Sequence, residues 1–158
     1  MMKKNAEILG LKVISITEGK ELGVVKELVI NPAGGTVAAL VVDDGKWFYG
    51  AKVLPFMAIV GIGEYAVMVE NSDNLASVAA SPDIVSLLNV GVKVIGAKVL
   101  TKSGRIQGKI IEYTVDDAGK ITACELELAN GRGSAQLSSE YILTFGKDVI
   151  IVAEQDLA

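Results

Sequence analysis

Leu9-Gly10-Leu11-Lys12-Val13-Ile14 returns later in the chain as Val90-Gly91-Val92-Lys93-Val94-Ile95, an offset of 81 residues. This recurrence decides the fold, because internal repetition means that one structural unit is used twice. After a four-residue insertion, Gly23-Val24-Val25-Lys26-Glu27 matches Gly108-Lys109-Ile110-Ile111-Glu112 at offset 85, and Ala33-Gly34 matches Ala118-Gly119 at the same offset. Near the end of each half, Val53-Leu54-Pro55 and the run Glu64 to Glu70 match Leu137-Ser138-Ser139 and Asp148 to Glu154 at offset 84. The insertions fall in expected turns, where extra residues cost little.

Each half reads as short apolar runs separated by turn chemistry. Strands are expected near residues 11–16, 23–30, 36–42, 46–53 and 65–70, and again near 92–99, 106–115, 120–128, 133–138 and 148–153. The turns carry Gly19, Asn31-Pro32-Ala33-Gly34, Asp44-Gly45, Ser103-Gly104, Asp116-Asp117-Ala118-Gly119 and Asn130-Gly131. Asp-Gly and Asn-Gly suit two-residue hairpin turns whose central residues both need positive φ. Five or six short strands in so few residues close into a small barrel, which removes exposed edges. Between the halves, Ser81 can cap a helix, Pro82 fits its first position, and Ile84, Leu87 and Leu88 recur at helical spacing before Asn89 or Gly91 ends it. The expected architecture is all-β: a first barrel over residues 1–72, a linker with a short helix over 73–90, and a second barrel over 91–158.

Composition excludes much chemistry. The chain has 158 residues, no histidine and one cysteine, Cys124. That removes Ser-His-Asp and Cys-His machinery, histidine-ligated metals and intramolecular disulfides. Asp43-Asp44 and Asp116-Asp117 sit in turns that favour Asp anyway, and a calcium loop needs a denser set of oxygen ligands. Gly61-Ile62-Gly63 lacks the strand-turn-helix setting of a phosphate loop. The expectation is a protein that is not an enzyme and has no catalytic, metal or cofactor site. Net charge is −4 with a pI near 4.9 and no Lys/Arg cluster, which argues against nucleic acid. The longest nearly uncharged apolar stretch, Val53 to Gly63, is far short of the ~20 residues of a membrane span. The first seven residues lack the apolar run of a signal peptide. A cytoplasmic protein is expected, with no membrane insertion of its own.

The order of features in each half resembles the PRC-barrel family. It runs Gly10-Leu11-Lys12-Val13-Ile14, a Leu22-Gly23 or Gln107-Gly108 step opening a strand, an Asn/Asp-x-x-Gly turn and an aliphatic strand. It finishes with Val53-Leu54-Pro55 and Gly63-Glu64-Tyr65-Ala66-Val67. The second half departs at Ser138-Ser139, where the proline is missing, and in its longer first turn. The resemblance implies β-barrel interaction modules rather than enzymes. Such modules occur in the photosynthetic reaction-centre H subunit, in a ribosome-maturation factor and in small stand-alone archaeal proteins. The last include adaptors of FtsZ/SepF-based cell division. The implied function is a protein–protein interaction adaptor, partnered by cell-division proteins or dimerised with itself or a related PRC-barrel protein, and recruited to the membrane or division site through a partner. The alternative is a ribosome-maturation or RNA-processing associated factor.

The two halves also serve as controls for each other. With Asn130-Gly131 as a two-residue turn, Glu127 opposes Ser134, Leu126 opposes Ala135 and Glu125 opposes Gln136. Opposed residues share a face, so Cys124, Leu126 and Ala135 point inward. With Asp44-Gly45 as the matching turn, Val42 opposes Trp47, Val41 opposes Phe48 and Leu40 opposes Tyr49. At offset 85, Leu40 and Val42 correspond to Glu125 and Glu127 and should face outward with Trp47 and Tyr49, making an apolar outer patch. Phe56, which matches Glu140, adds a second sticky position. The protein-interface candidates are therefore Leu40, Val42, Trp47, Tyr49 and Phe56. The patch is covered by the other barrel or the linker helix, by a second copy, or by a foreign partner. A slip of one residue would invert every assignment.

Overall fold

A computed structural model describes residues 2–45 and 51–154. The chain divides into two compact units, an N-terminal one of residues 5–29 and 37–89 and a C-terminal one of residues 2–4, 30–36 and 90–154 among those described. No helix among the described residues is long and apolar enough to cross a membrane.

The N-terminal half is a curled sheet of seven strands: β2 (Lys12–Ser15), β3 (Lys20–Asn31), β4 (Thr36–Asp43), β5 (Lys52–Pro55), β6 (Ile59–Ile62), β7 (Ala66–Val69) and β8 (Ala76–Ser77), in the order β6-β7-β2-β3-β4-β5-β8. A two-residue strand β1 (Lys3–Lys4) and a single helical turn α1 (Asn5–Ile8) precede them. The last long strand returns to the first: β7 runs parallel to β2, pairing Val13 with Val67 and Ser15 with Val69. Val13, Ser15, Val67 and Val69 all point inward and are fully buried.

The C-terminal half repeats this scheme with β9 (Lys98–Thr101), β10 (Ile106–Val115), β11 (Ile121–Leu128), β12 (Ser134–Ser138), β13 (Ile142–Phe145) and β14 (Val149–Val152), in the order β12-β11-β10-β9-β14-β13. Here β14 runs parallel to β9, pairing Val99 with Ile150 and Thr101 with Val152. The strands over 106–115, 121–128 and 134–138 lie where the turn chemistry puts them. So does the Asn130-Gly131 turn, with φ of 64° and 69°.

The structural repeat starts elsewhere than at Val90. Gly10 N–H donates to the Val25 carbonyl and Val25 N–H to that of Leu11, while Gly96 N–H donates to the Ile110 carbonyl and Ile110 N–H to that of Ala97. The equivalent segments are therefore Ile8-Leu9-Gly10-Leu11-Lys12-Val13-Ile14-Ser15 and Val94-Ile95-Gly96-Ala97-Lys98-Val99-Leu100-Thr101, at offset 86. The Gly91-to-Ile95 run is a decoy five residues upstream, and the strand expected at 92–99 begins at Lys98. Strands β6 and β13, absent from the expectation, close each sheet's edge.

The helix expected between the halves is present as α2 (Pro82–Val90). It belongs to the N-terminal unit, where Ile84, Leu87 and Leu88 pack on Val29, Ala39 and Val53, joined by Val41 and Val78. The C-terminal unit includes residues from early in the chain. Lys3 and Lys4 of β1 pair with Val115 and Thr114 of β10, Thr36 bridges to Lys120, and Ile121 N–H donates to the Gly35 carbonyl.

One backbone approach recurs in both halves. A Cβ on Gly23, whose φ is +152°, would lie 2.5 Å from the Asp43 carbonyl oxygen, and one on the equivalent Gly108 would clash with the Glu127 carbonyl. Only glycine lets β3 cross β4, and β10 cross β11, so closely. We expect Gly23→Ala and Gly108→Ala each to destabilise the protein by roughly 2 kcal/mol or more. Gly61→Ala, with nothing within 4 Å of the added carbon, should change little. Urea titration of the three variants measures the difference.

Candidate interaction surface

The register of β4 determines which of its side chains a partner can reach. Leu40 pairs with Leu54, Val41 with Val53 and Val42 with Lys52, so the strand opposite β4 is residues 52–55. The two-residue Asp44-Gly45 hairpin is overturned. Leu40 and Val42 are 0 % exposed, and Phe56 is buried as well. These three interface candidates are core residues. Trp47 and Tyr49 lie outside the described residues.

The cause is one residue in one turn. In the first half Gly35 N–H donates to the Asn31 carbonyl, and in the second Gly119 N–H donates to that of Asp116. The first turn is thus a residue longer, and Gly35, not Gly34, is the counterpart of Gly119. Downstream the offset is 84, so Leu40 matches Cys124 and Val42 matches Leu126, both inward. A shift of one residue moves every side chain to the other face. The pairings of Glu125 with Gln136, Leu126 with Ala135 and Glu127 with Ser134 are as expected.

The contrast between the two hairpins is nonetheless real. On the outer face Ala39, Val41 and Val53 stand where the second half has Ala123, Glu125 and Gln136. In the N-terminal unit that apolar face is covered by α2. This is the helix-covered alternative, with different residues from those expected.

Apolar exposure lies instead at the sheet edge. Met57 is 87 % exposed in the turn before β6, and Val60 is 60 % exposed within it. Ile59 pairs with Val69 and Gly61 with Met68, so Val60 is the extra residue of a β-bulge. Bulges twist an edge and re-aim a side chain. Beside Val60 on the same outer face lie half-buried Met68 and Ile14, paired across β7 and β2. Val60 corresponds to Leu143 at offset 83, because Ile59 and Ile142 open the matching strands and the bulge follows each.

Burial pushes the Cys124 thiol up to about 12, far from the thiolate a nucleophile needs. An open depression of about 480 Å³ is lined by Lys20, Glu21, Leu22, Asp44, Lys52, Ser72, Asp73 and Leu75, a mixed-charge rim. No group of three His, Cys, Asp or Glu side chains among the described residues is placed to hold a metal. Glu18 accepts from the Ser72 N–H and the Ser15 hydroxyl, and Glu154 accepts from the Ser103 hydroxyl and N–H. The Ser72 and Ser15 bonds hold Glu18 below the usual glutamate range, and the Ser103 bonds do the same for Glu154. Each carboxylate secures the turn after β2 or β9 to the segment after the strand that pairs parallel with it, β7 or β14.

Curled sheets whose last long strand runs back parallel to the first define a small β-barrel type of module. A profile of the PRC-barrel domain matches residues 2–75, and that part of the chain is a PRC-barrel domain. No curated protein matches the chain.

Two expectations follow. Leu40→Ala should cost about 2–5 kcal/mol as a core truncation, whereas a surface residue would cost almost nothing; thermal denaturation separates the two. Glu18 and Glu154 have depressed folded-state pKa values, so their stabilisation is present above the ordinary glutamate pKa and lost as pH falls through the lowered values. The double variant Glu18→Gln/Glu154→Gln should therefore show a smaller loss of stability between pH 7 and pH 3 than the parent, in denaturant titrations at each pH.

Proposed function

We propose that this chain is a non-catalytic protein–protein interaction adaptor, built from the PRC-barrel domain at residues 2–75 and a second barrel of the same kind in the C-terminal half. The repeated strand order and the repeated parallel closure support the second barrel. The observation that carries the adaptor reading is the pair Met57 and Val60, large apolar side chains left exposed on an edge strand whose bulge directs one of them outward. Exposed apolar groups gathered at one place are what a binding face needs. The likeness to archaeal stand-alone proteins supports the finer setting: the FtsZ/SepF-based division assembly, with dimerisation to itself or to a related barrel, and recruitment to the membrane or division site through that partner.

Affinity purification from the native cell, with sedimentation of the purified chain, tests this. Met57→Glu/Val60→Glu and Trp47→Ala should each lose partners or change the oligomeric state while the circular dichroism spectrum is unchanged. If every partner and the oligomeric state survive all these changes, the reading is wrong. Salt-sensitive capture of ribosomal RNA or subunits in their place would move the assignment to ribosome maturation.

A further inference from the structure

The C-terminal sheet carries an apolar strip on its outer face. Across four adjacent strands, Thr144 of β13 pairs with Ile151 of β14, Ile151 with Leu100 of β9, and Leu100 with Ile106 of β10. Leu143, the bulge residue beside Thr144, extends the row. At the ordinary strand spacing of about 4.8 Å this strip is roughly 15 Å long. Its ends, Leu143 and Ile106, are each 52 % exposed, whereas Leu100 and Ile151 between them are half-buried.

Next to the strip, Lys98 and Lys109 are directly opposed on β9 and β10, both exposed. Like charges directly opposed across a strand pair are unfavourable. The N-terminal sheet shows how such a lysine is answered within the fold. Lys12, the counterpart of Lys98, forms a 2.9 Å ion pair with Glu21 and lies over the Tyr65 ring. Glu21 occupies the place of Ile106, at the same bulge. In the C-terminal sheet that carboxylate is replaced by an apolar side chain; Glu127 of β11 stands directly opposite Lys109, whereas Lys98 is flanked by Lys109 and Val149 and forms no ion pair among the described residues. The N-terminal unit has five basic against ten acidic residues, and the C-terminal unit ten against nine. The C-terminal unit thus offers apolar surface beside Lys98, a positive charge that no cross-strand carboxylate faces.

We propose that this strip docks an acidic amphipathic segment of a partner protein, its apolar residues on Leu143, Ile151, Leu100 and Ile106 and its carboxylates on Lys98 and Lys109. Charge complementarity selects this occupant. The same strip of a second copy would set each Lys98 against a face of its own sign. The inference rests on the adaptor reading and names the chemistry of one partner.

A random 16-residue peptide display library, panned on the full chain, is the probe. Selected peptides should combine apolar residues with an excess of Asp and Glu. Their affinity should fall on the order of tenfold in Lys98→Glu/Lys109→Glu and in Ile106→Glu, and should weaken as salt rises. Ile106→Glu places a carboxylate where the N-terminal sheet already carries one, so the fold should accept it. Peptides without acidic enrichment, affinities unchanged in both variants, or no selected peptides at all would overturn the proposal. So would binding to phosphatidylglycerol vesicles in place of peptide, or self-association abolished by Ile106→Glu. If native partners are lost in Met57→Glu/Val60→Glu while the strip selects nothing, this inference falls and the adaptor reading stands. If native partners survive every N-terminal and strip variant, the adaptor reading falls with it.

Discussion

The pairing of Leu40 with Leu54, and of Cys124 with Leu137, fixes which face of each sheet becomes core. Side chains alternate along a strand, so this one choice of register places Val42 and Leu126 inside and turns Ala39, Val41 and Glu125 outward. What lies on each outer face follows from it. In the N-terminal unit the outward residues are apolar and α2 covers them. In the C-terminal unit they are glutamates and glutamine, and they meet water. The glycines at 23 and 108 let the neighbouring strand approach closely enough for the register to hold.

Much of this was legible in the sequence. Turn residues with a mechanism marked most strand ends, and the proline-initiated helix with its Ile84, Leu87 and Leu88 face was found where expected. Periodicity could not supply the register. Gly34-Gly35 offers two candidates for the glycine that ends the turn, and the wrong one gives a match that looks equally good. Likewise Gly91-Val92-Lys93-Val94-Ile95 resembles the opening motif better by letter than Gly96-Ala97-Lys98-Val99-Leu100 does. Hydrogen bonds from Gly10 and Gly96 settle the matter, and no string comparison contains them. In a strand, an alignment error of one residue is an error of face, so the fold class survived the slip while the interface residues did not.

The surface positions were harder to see for a further reason. Val60 and Leu143 are exposed because each sits in a bulge, where the two-residue alternation is broken. Both belong to short strands that the apolar and turn pattern of the sequence does not mark. Met57 follows a buried Phe56 in a one-turn helix, and its near-complete exposure depends on that turn's geometry. Exposure of this kind is set by where a strand departs from regularity, and regularity is what sequence patterns report.

Duplication gives the two halves the same strand order, the same parallel closure and the same carboxylate brace between the turn after β2 or β9 and the segment after β7 or β14. A structural requirement should be met in both copies, as Gly23 and Gly108 show. A residue that differs at an equivalent, exposed position is under no such common demand. Glu21 against Ile106 is such a difference, and it has an electrostatic consequence: the carboxylate that answers Lys12 has no counterpart beside Lys98. Val41 against Glu125 is another, but α2 explains it within the N-terminal unit. Subtracting what the scaffold needs, and then what the fold itself covers, leaves the strip beside Lys98 and Lys109 as the difference that the fold does not account for.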